Sequence, residues 1–309
     1  MSSKFIKHIV CLLLFLQVSI YAQQDSQYTQ YMYNTMSINP AYAASRDAFG
    51  VFGLYRTQWI GLDGAPTTGL FAVEYPANDK VGLGITFIND KIGISQESTL
   101  SADFSYTIKL GEEYNLSFGV KGSMHLLTVE YSKLNLSSPT DVVFQDDILN
   151  RFSPNVGTGV YLHSHKFYAG LSVPNILETK HYDHNDVESL AREKIHGYLI
   201  TGYVFDVNAD LLLKPALLTK AVGGAPLQVD LSLNALFRER FTLGMAYRWD
   251  AAVSGLAGFQ INKNWFIGYA YDAETTKMAD YNSGTHEIFL RYEYQLFKKP
   301  EKILSPRFF

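Results

Sequence analysis

Strict alternation of apolar and polar side chains, sustained over unusually long runs, constrains this chain more than any other feature. In 227–235, Leu227, Val229, Leu231, Leu233 and Ala235 alternate with Gln228, Asp230, Ser232 and Asn234. In 241–250, Phe241, Leu243, Met245, Tyr247 and Trp249 oppose Thr242, Gly244, Ala246, Arg248 and Asp250. The same pattern sets Leu100, Ala102, Phe104, Tyr106 and Ile108 against Ser101, Asp103, Ser105, Thr107 and Lys109, and Ile288, Leu290, Tyr292, Tyr294 and Leu296 against Glu287, Arg291, Glu293 and Gln295. A period of two puts the sets on opposite faces of a strand. Soluble strands usually stop at about five or six residues, whereas a tilted membrane crossing takes about nine to eleven. The run length therefore favours a transmembrane β-barrel over a soluble sandwich.

Fourteen strands are expected, at about 48–59, 67–76, 80–89, 97–110, 113–128, 155–163, 166–173, 194–206, 209–219, 226–236, 239–250, 252–261, 264–273 and 285–297. Tight connections, such as Gly111-Glu112, Ser164-His165, Arg238-Glu239 and Asn262-Lys263, alternate with mostly longer ones, including 129–154, 174–193 and 274–284. Short turns on one side and long loops on the other are the mark of an outer-membrane barrel, with the short turns periplasmic. An even strand count returns both chain ends to the periplasm. The expected fold is thus an all-β, antiparallel transmembrane barrel of about 14 strands (47–297), preceded by an irregular segment (23–46) and followed by a periplasmic tail (298–309). The strand at 194–206 is ambiguous in facing, because both of its faces are apolar.

Composition agrees. Charged residues make up 18% of the chain, below the ~25% of ordinary soluble proteins. Aromatic residues reach 14%, and pairs such as Tyr247 and Trp249, Tyr269 and Tyr271, and Tyr292 and Tyr294 end apolar faces as a headgroup girdle would. On a secreted soluble sandwich, the alternative, such faces would be aggregation-prone patches. A mean hydropathy of −0.04 and the lack of a second long apolar run exclude a polytopic helical membrane protein. A net charge of −4 excludes the basic footprint of a nucleic-acid binder.

The first 22 residues read as a secretory signal: Lys4 and Lys7, an apolar run from Ile9 to Leu16, and Ala22 before the cut, with Ile20 larger than usual at the −3 position. The one cysteine, Cys11, lies inside that run and is not placed as a lipid-attachment site. The mature chain then has no thiol, which removes disulfides, thiol catalysis and Cys-ligated zinc.

Catalytic and metal-ligating residues are expected to be absent, and with them any cofactor. His181, Asp183, His184 and Asp186 are ligand types, but Asn185 with Glu188 reads as a capping box opening a short helix. Asp141, Asp146 and Asp147 lack calcium-loop spacing. No Gly-x-Ser-x-Gly elbow occurs. Asp103, Lys109, Lys121, Asp230, Asn234, Arg248, Asp250, Glu287, Arg291 and Glu293 are expected to face the lumen with mixed signs, without the single-sign ring of a strongly selective pore. A lumen of fourteen strands must be wet or plugged, and 23–46 is the plug candidate.

Particular strings carry more. Tyr-Thr-Gln-Tyr-Met-Tyr-Asn at 28–34, Ile-Asn-Pro-Ala-Tyr-Ala-Ala-Ser-Arg at 38–46, Tyr-Arg-Thr-Gln-Trp-Ile-Gly-Leu-Asp-Gly-Ala-Pro at 55–66, Val-Gly-Leu-Gly at 81–84, Asn-Asp-Lys-Ile-Gly at 89–93 and Ser-Pro-Arg-Phe-Phe at 305–309 resemble the PorP/SprF family of type IX secretion outer-membrane proteins. The motif positions are Asn39, Pro40, Tyr42, Arg46, Arg56, Gln58, Trp59, Gly61, Gly64, Pro66, Asn89, Asp90 and Gly93. Ala44 departs from the family pattern, which favours Gly, and suggests a relaxed turn. The resemblance implies a non-enzymatic outer-membrane barrel of the type IX secretion and gliding machinery. Its partners would be other secretion components and a cargo with a type B C-terminal domain, such as a surface adhesin. The role would be either core component or dedicated cargo partner. The alternative is a fatty-acid-uptake-like or porin-type solute transporter.

Within this frame the block around Arg56, Gln58 and Trp59 is expected to pack on the N-terminal segment and brace the barrel mouth. Loops 129–154 and 174–193 are the expected cargo surfaces, and Pro306, Arg307, Phe308 and Phe309 the expected partner-binding tail.

Overall fold

The computed structural model describes residues 28–134, 147–178 and 194–296. They form one antiparallel sheet closed on itself. Its strands are β1 (Phe49–Thr57), β2 (Thr67–Pro76), β3 (Val81–Ile92), β4 (Ser95–Leu110), β5 (Tyr114–Val129), β6 (Ile148–His163), β7 (Phe167–Val173), β8 (His196–Tyr203), β9 (Phe205–Asn208), β10 (Leu211–Val222), β11 (Gln228–Phe237), β12 (Phe241–Arg248), β13 (Ala252–Gln260), β14 (Trp265–Glu274) and β15 (Thr285–Tyr294). β8 and β9 are interrupted only at Val204 and both pair with β10, so they make one stave of fourteen. Neighbours in sequence are neighbours in space, and pairing of β15 with β1 closes the ring. Closure leaves no free sheet edge around the ring, which a lipid-exposed sheet requires.

The alternation sorts side chains as expected. Tyr55, Phe71, Ile85, Phe87, Phe104, Met245 and Trp249 are exposed on the outer face. Asp103, Lys121, Asp230, Asn234, Glu287 and Arg291 are buried inside, with Arg248 and Glu293 half-buried. Lys109 and Asp250 depart from the expectation: both are exposed near strand ends, where the alternation runs out into turns. Opposite signs meet across ladders. Asp103 and Lys121 are register partners with their charged groups 3.2 Å apart, and Arg248 Nε lies 3.1 Å from Asp230 Oδ1.

Three local differences have physical causes. β6 starts at Ile148, not near 155, because its ladder with β5 continues through Leu126↔Phe152 and Leu127↔Arg151 although alternation fails there. β3 extends to Ile92 and β4 begins at Ser95, so their connection is a tight turn at Gly93, on the rim that carries the long loops and also the tight β12–β13 turn. The ambiguous strand faces His196, Tyr198, Ile200 and Val204 inward, and its inner face is apolar because it joins the buried cluster containing Ile38, Tyr42, Tyr161 and Tyr168. The leader at 1–22, His181 to Asp186, Asp141, Asp146 and the tail at 298–309 lie outside the described residues. Asp147 accepts hydrogen bonds from the backbone N–H and hydroxyl of Ser132 at 2.8 and 2.9 Å, which hold its carboxyl below the usual range.

Candidate functional site

The site is the lumen and the segment inside it. From 28 to 44 nearly every residue is buried, and Met36, Asn39 and Ala41 are completely so. The segment makes three short 3₁₀ turns, Tyr31–Tyr33, Thr35–Ser37 and Pro40–Tyr42. Asn39 opens the third: its side chain accepts from Ala41 N at 3.0 Å, and Pro40 follows where a missing N–H costs nothing. Thr29 meets Arg56, the next-to-last residue of β1, whereas Asp47 precedes the first. The segment therefore runs through the lumen from the loop-bearing rim to the rim where β1 begins, so the described N-terminal end at Tyr28 lies toward the loop-bearing rim and not, as the even strand count suggested for both chain ends, at the rim of the short turns.

At the loop-bearing end the wall grips with charge. β1 alternation turns Phe52, Leu54 and Arg56 inward, and register places Arg56 opposite Glu287. Arg56 reaches Glu287 Oε2 and Asp272 Oδ2, both at 2.9 Å, and donates to Thr29 Oγ1 at 3.0 Å. Thr29 Oγ1 donates to Asp272 at 2.6 Å, and the N–H groups of Thr29 and Gln30 donate to the two Glu287 oxygens at 3.1 and 2.9 Å. One cation faces two carboxylates, and the segment's own backbone donors offset the second negative charge. Ionised groups this deeply buried persist only when so satisfied. Below them Tyr33 lies 4.4 Å from Phe289 and 5.4 Å from Phe266, ring centre to ring centre, and Arg291 sits over Phe266 at 5.1 Å.

At the other end the wall grips the main chain. Lys121 Nζ, Ser172 Oγ and Ser105 Oγ donate to the carbonyls of Met36, Ile38 and Ala43 at 3.4, 2.7 and 2.8 Å. Asn39 Nδ2 donates to Val160 O at 3.2 Å, Ala44 N to Glu74 Oε2 at 3.0 Å, and Tyr42 packs edge-on against Tyr161. Arg46 Nε closes the run 2.6 Å from Glu293. The backbone can approach this closely because the wall is glycine there. A Cβ on Gly82 would lie 2.1 Å from Ala43 O, and one on Gly119 would lie 2.1 Å from Ala41 N. Gly84 and Gly159 are similarly covered by Met36 and Asn39. Ala44 contradicts the relaxed turn expected for it. Its φ is +52°, in the left-handed region that favours glycine, so alanine bears strain in this turn.

The remaining motif residues build the rim above Thr29. Gln58 N donates to Pro66 O at 2.9 Å. Trp59 Nε1 donates to Glu274 at 3.1 Å and its backbone N–H to Thr285 Oγ1 at 3.3 Å. Ile60 exchanges backbone hydrogen bonds with Gly284 and Ser283, and Gly93 N donates to Gly64 O at 2.8 Å. Gly61, Gly64 and Gly93 all have positive φ. Asn89 Nδ2 donates to Ser98 at 2.8 Å, and Asp90 accepts from Thr68. Three connections are thereby tied into one collar. Sequence reasoning missed two sets. Thr29, Asp272 and Gly119 carried no flag, and the inward parity of Gly82 and Gly84 in Val-Gly-Leu-Gly was the available signal.

Among the described residues no three His, Asp or Glu side chains converge as a metal site. What the arrangement does physically is fill the lumen and lock a polypeptide in it.

The family described as type IX secretion system membrane protein PorP/SprF matches residues 20–292. No curated protein matches the chain. Among solved structures, the Ralstonia pickettii toluene transporter TbuX is similar at 10% identity, over 84% of this chain and 92% of that one, with a TM-score of 0.48. The P. putida toluene transporter TodX is similar at 9% identity over 86% and 95%, with a TM-score of 0.47. The KdgM porin is similar at 11% over 79% and 99%, with a TM-score of 0.36.

Proposed function

Because the chain belongs to the PorP/SprF family of type IX secretion system membrane proteins, we propose that it is a non-enzymatic, cofactor-free component of that machinery whose barrel is kept closed by its own N-terminal segment. It binds or positions cargo carrying a type B C-terminal domain, such as a surface adhesin, for secretion and attachment at the cell surface, and so supports gliding motility. The observation that carries this reading is the occupied lumen: residues 28–46 take up the space a solute would need. The N-terminal signal delivers the chain to the outer membrane. The connections around 129–154 and 174–193 supply the cargo surface. The tail at Pro306, Arg307, Phe308 and Phe309 anchors periplasmic partners through its two phenylalanines.

The test is the secreted and surface proteome of a clean deletion strain. Loss of one adhesin or a small type B set supports a dedicated cargo partner, and collapse of the whole type IX secretome supports a core component. An unchanged secretome overturns the proposal. Removing 305–309 should then weaken co-purification with partners while the barrel stays intact. In planar bilayers the full chain should conduct little, and a large steady conductance would favour a solute transporter instead.

A further inference from the structure

At seven residues β7 is the shortest stave, and its ladders with β6 and β8 stop at Thr158↔Val173 and Ser172↔Tyr198. Beyond Val173 the chain leaves the regular wall and is clipped onto β6. Ile176 N donates to Val156 O at 2.9 Å, and Asn155 Oδ1 accepts from the N–H groups of Ile176 and Leu177 at 3.0 and 2.9 Å. Beside this crossing the outer face carries a depression of about 450 Å³, walled by Val160, Leu171 and Leu199 and floored by Thr158, Gly197 and Ala221. Outward positions on other staves carry large side chains, among them Phe87, Leu100, Met124 and Tyr247, broken by isolated glycines such as Gly122 and Gly255. Here two small outward residues, Gly197 and Ala221, are register partners on neighbouring staves beside Val160, Leu171 and Leu199, so the surface is hollowed.

We propose that this depression is a binding site for one acyl chain of a membrane lipid. Its lining is mostly apolar, with Thr158 and Thr219 among it and no charged side chain. It opens on the same face as the exposed aromatic and aliphatic belt, so its contents come from the bilayer. The Thr158 hydroxyl in the lining is already spent on Gly119 O at 3.0 Å, which leaves few partners for ordered water, while a flexible hydrocarbon restores the dispersion contacts an empty hollow forfeits. The inference rests on the barrel lying in a membrane and is independent of the secretion role.

Native mass spectrometry of the full chain in detergent, with palmitoyl-oleoyl phosphatidylethanolamine as the probe, tests it. The unmodified protein should retain one tightly held lipid. In Gly197→Leu the new Cβ meets nothing closer than Ala221 O at 3.9 Å, so the side chain fills the hollow and lipid affinity should fall about tenfold. Gly255→Leu is the control, on the lipid-facing wall of β13 where nothing lies within 4 Å of the new Cβ; it should keep the lipid. Ala221→Leu gives a second filling variant, and heat-modifiable migration checks that each barrel is folded. Retention of the lipid by both filling variants, or equal loss in the control, overturns the proposal.

Discussion

The two ends of the lumen segment are held by opposite means. Around Thr29 the wall offers ionised side chains in a fixed geometry, and the segment answers with two backbone N–H groups and a hydroxyl. Around 36–44 glycines in the wall let the main chain come close, at Gly82 and Gly119, and neutral hydroxyls, Lys121 and Glu74 bond to its backbone. The first grip is electrostatic and demands every partner, because a charge left unpaired there is expensive. The second is steric and depends on shape, because a close-packed interface has no slack. The difference teaches that one segment can be loosened at one end without the other, by different chemistry.

The largest effect should come from breaking the charged grip. Arg56→Ala strands Asp272 and Glu287 without their cation, at a cost of about 3–5 kcal/mol. It should release the loop-bearing end of the segment to protease and raise conductance. Unchanged protection would mean the charge cluster serves the wall alone. Next is the steric grip. Gly119→Ala drives a methyl into the backbone at Pro40 and Ala41, costing about 1–3 kcal/mol by overpacking. Protease should then cut near 36–44 while barrel migration on gels is preserved; cutting at Thr29 instead would show the two grips to be one cooperative unit. Tyr33→Leu removes the stacking on Phe266 and Phe289 between the two grips and should cost about 1 kcal/mol beyond the area lost. Equal thermal midpoints for variant and parent would count against that stacking. Ala44→Gly should act in the opposite direction. It relieves the left-handed strain of about 1–2 kcal/mol, partly cancelled by unfolded-chain entropy, leaving a small gain of ~0.5–1 kcal/mol in unfolding free energy, read as a slightly raised thermal midpoint.

Most of the wall was legible because strand patterning is local. Leu227 to Ala235 announces its two faces whatever its neighbours are, since Cβ direction alternates along the backbone itself. The start of β6 was not legible. Ile148, Leu149, Asn150, Arg151 and Phe152 do not alternate, and Pro154 argues against a strand. They are strand because β5 continues beside them. The facing of the strand after His196 was likewise undecidable until the apolar interior of the lumen was known. In the site, Asn39-Pro40 could be read as a turn, and Arg56 as part of a family motif. Nothing along the chain could connect Arg56 with Asp272 and Glu287, which lie more than two hundred residues away.

By itself, then, the sequence determined the class of fold, the approximate strand count, the lipid-facing side of the clearly alternating strands and the family. All of these follow from short-range periodicity or contiguous strings. Only the tertiary structure decided that residues 28–46 occupy the lumen, which glycines make room for them and which charges hold them. Those facts depend on ring closure, which brings the first and last strands together around a segment that has no periodicity of its own.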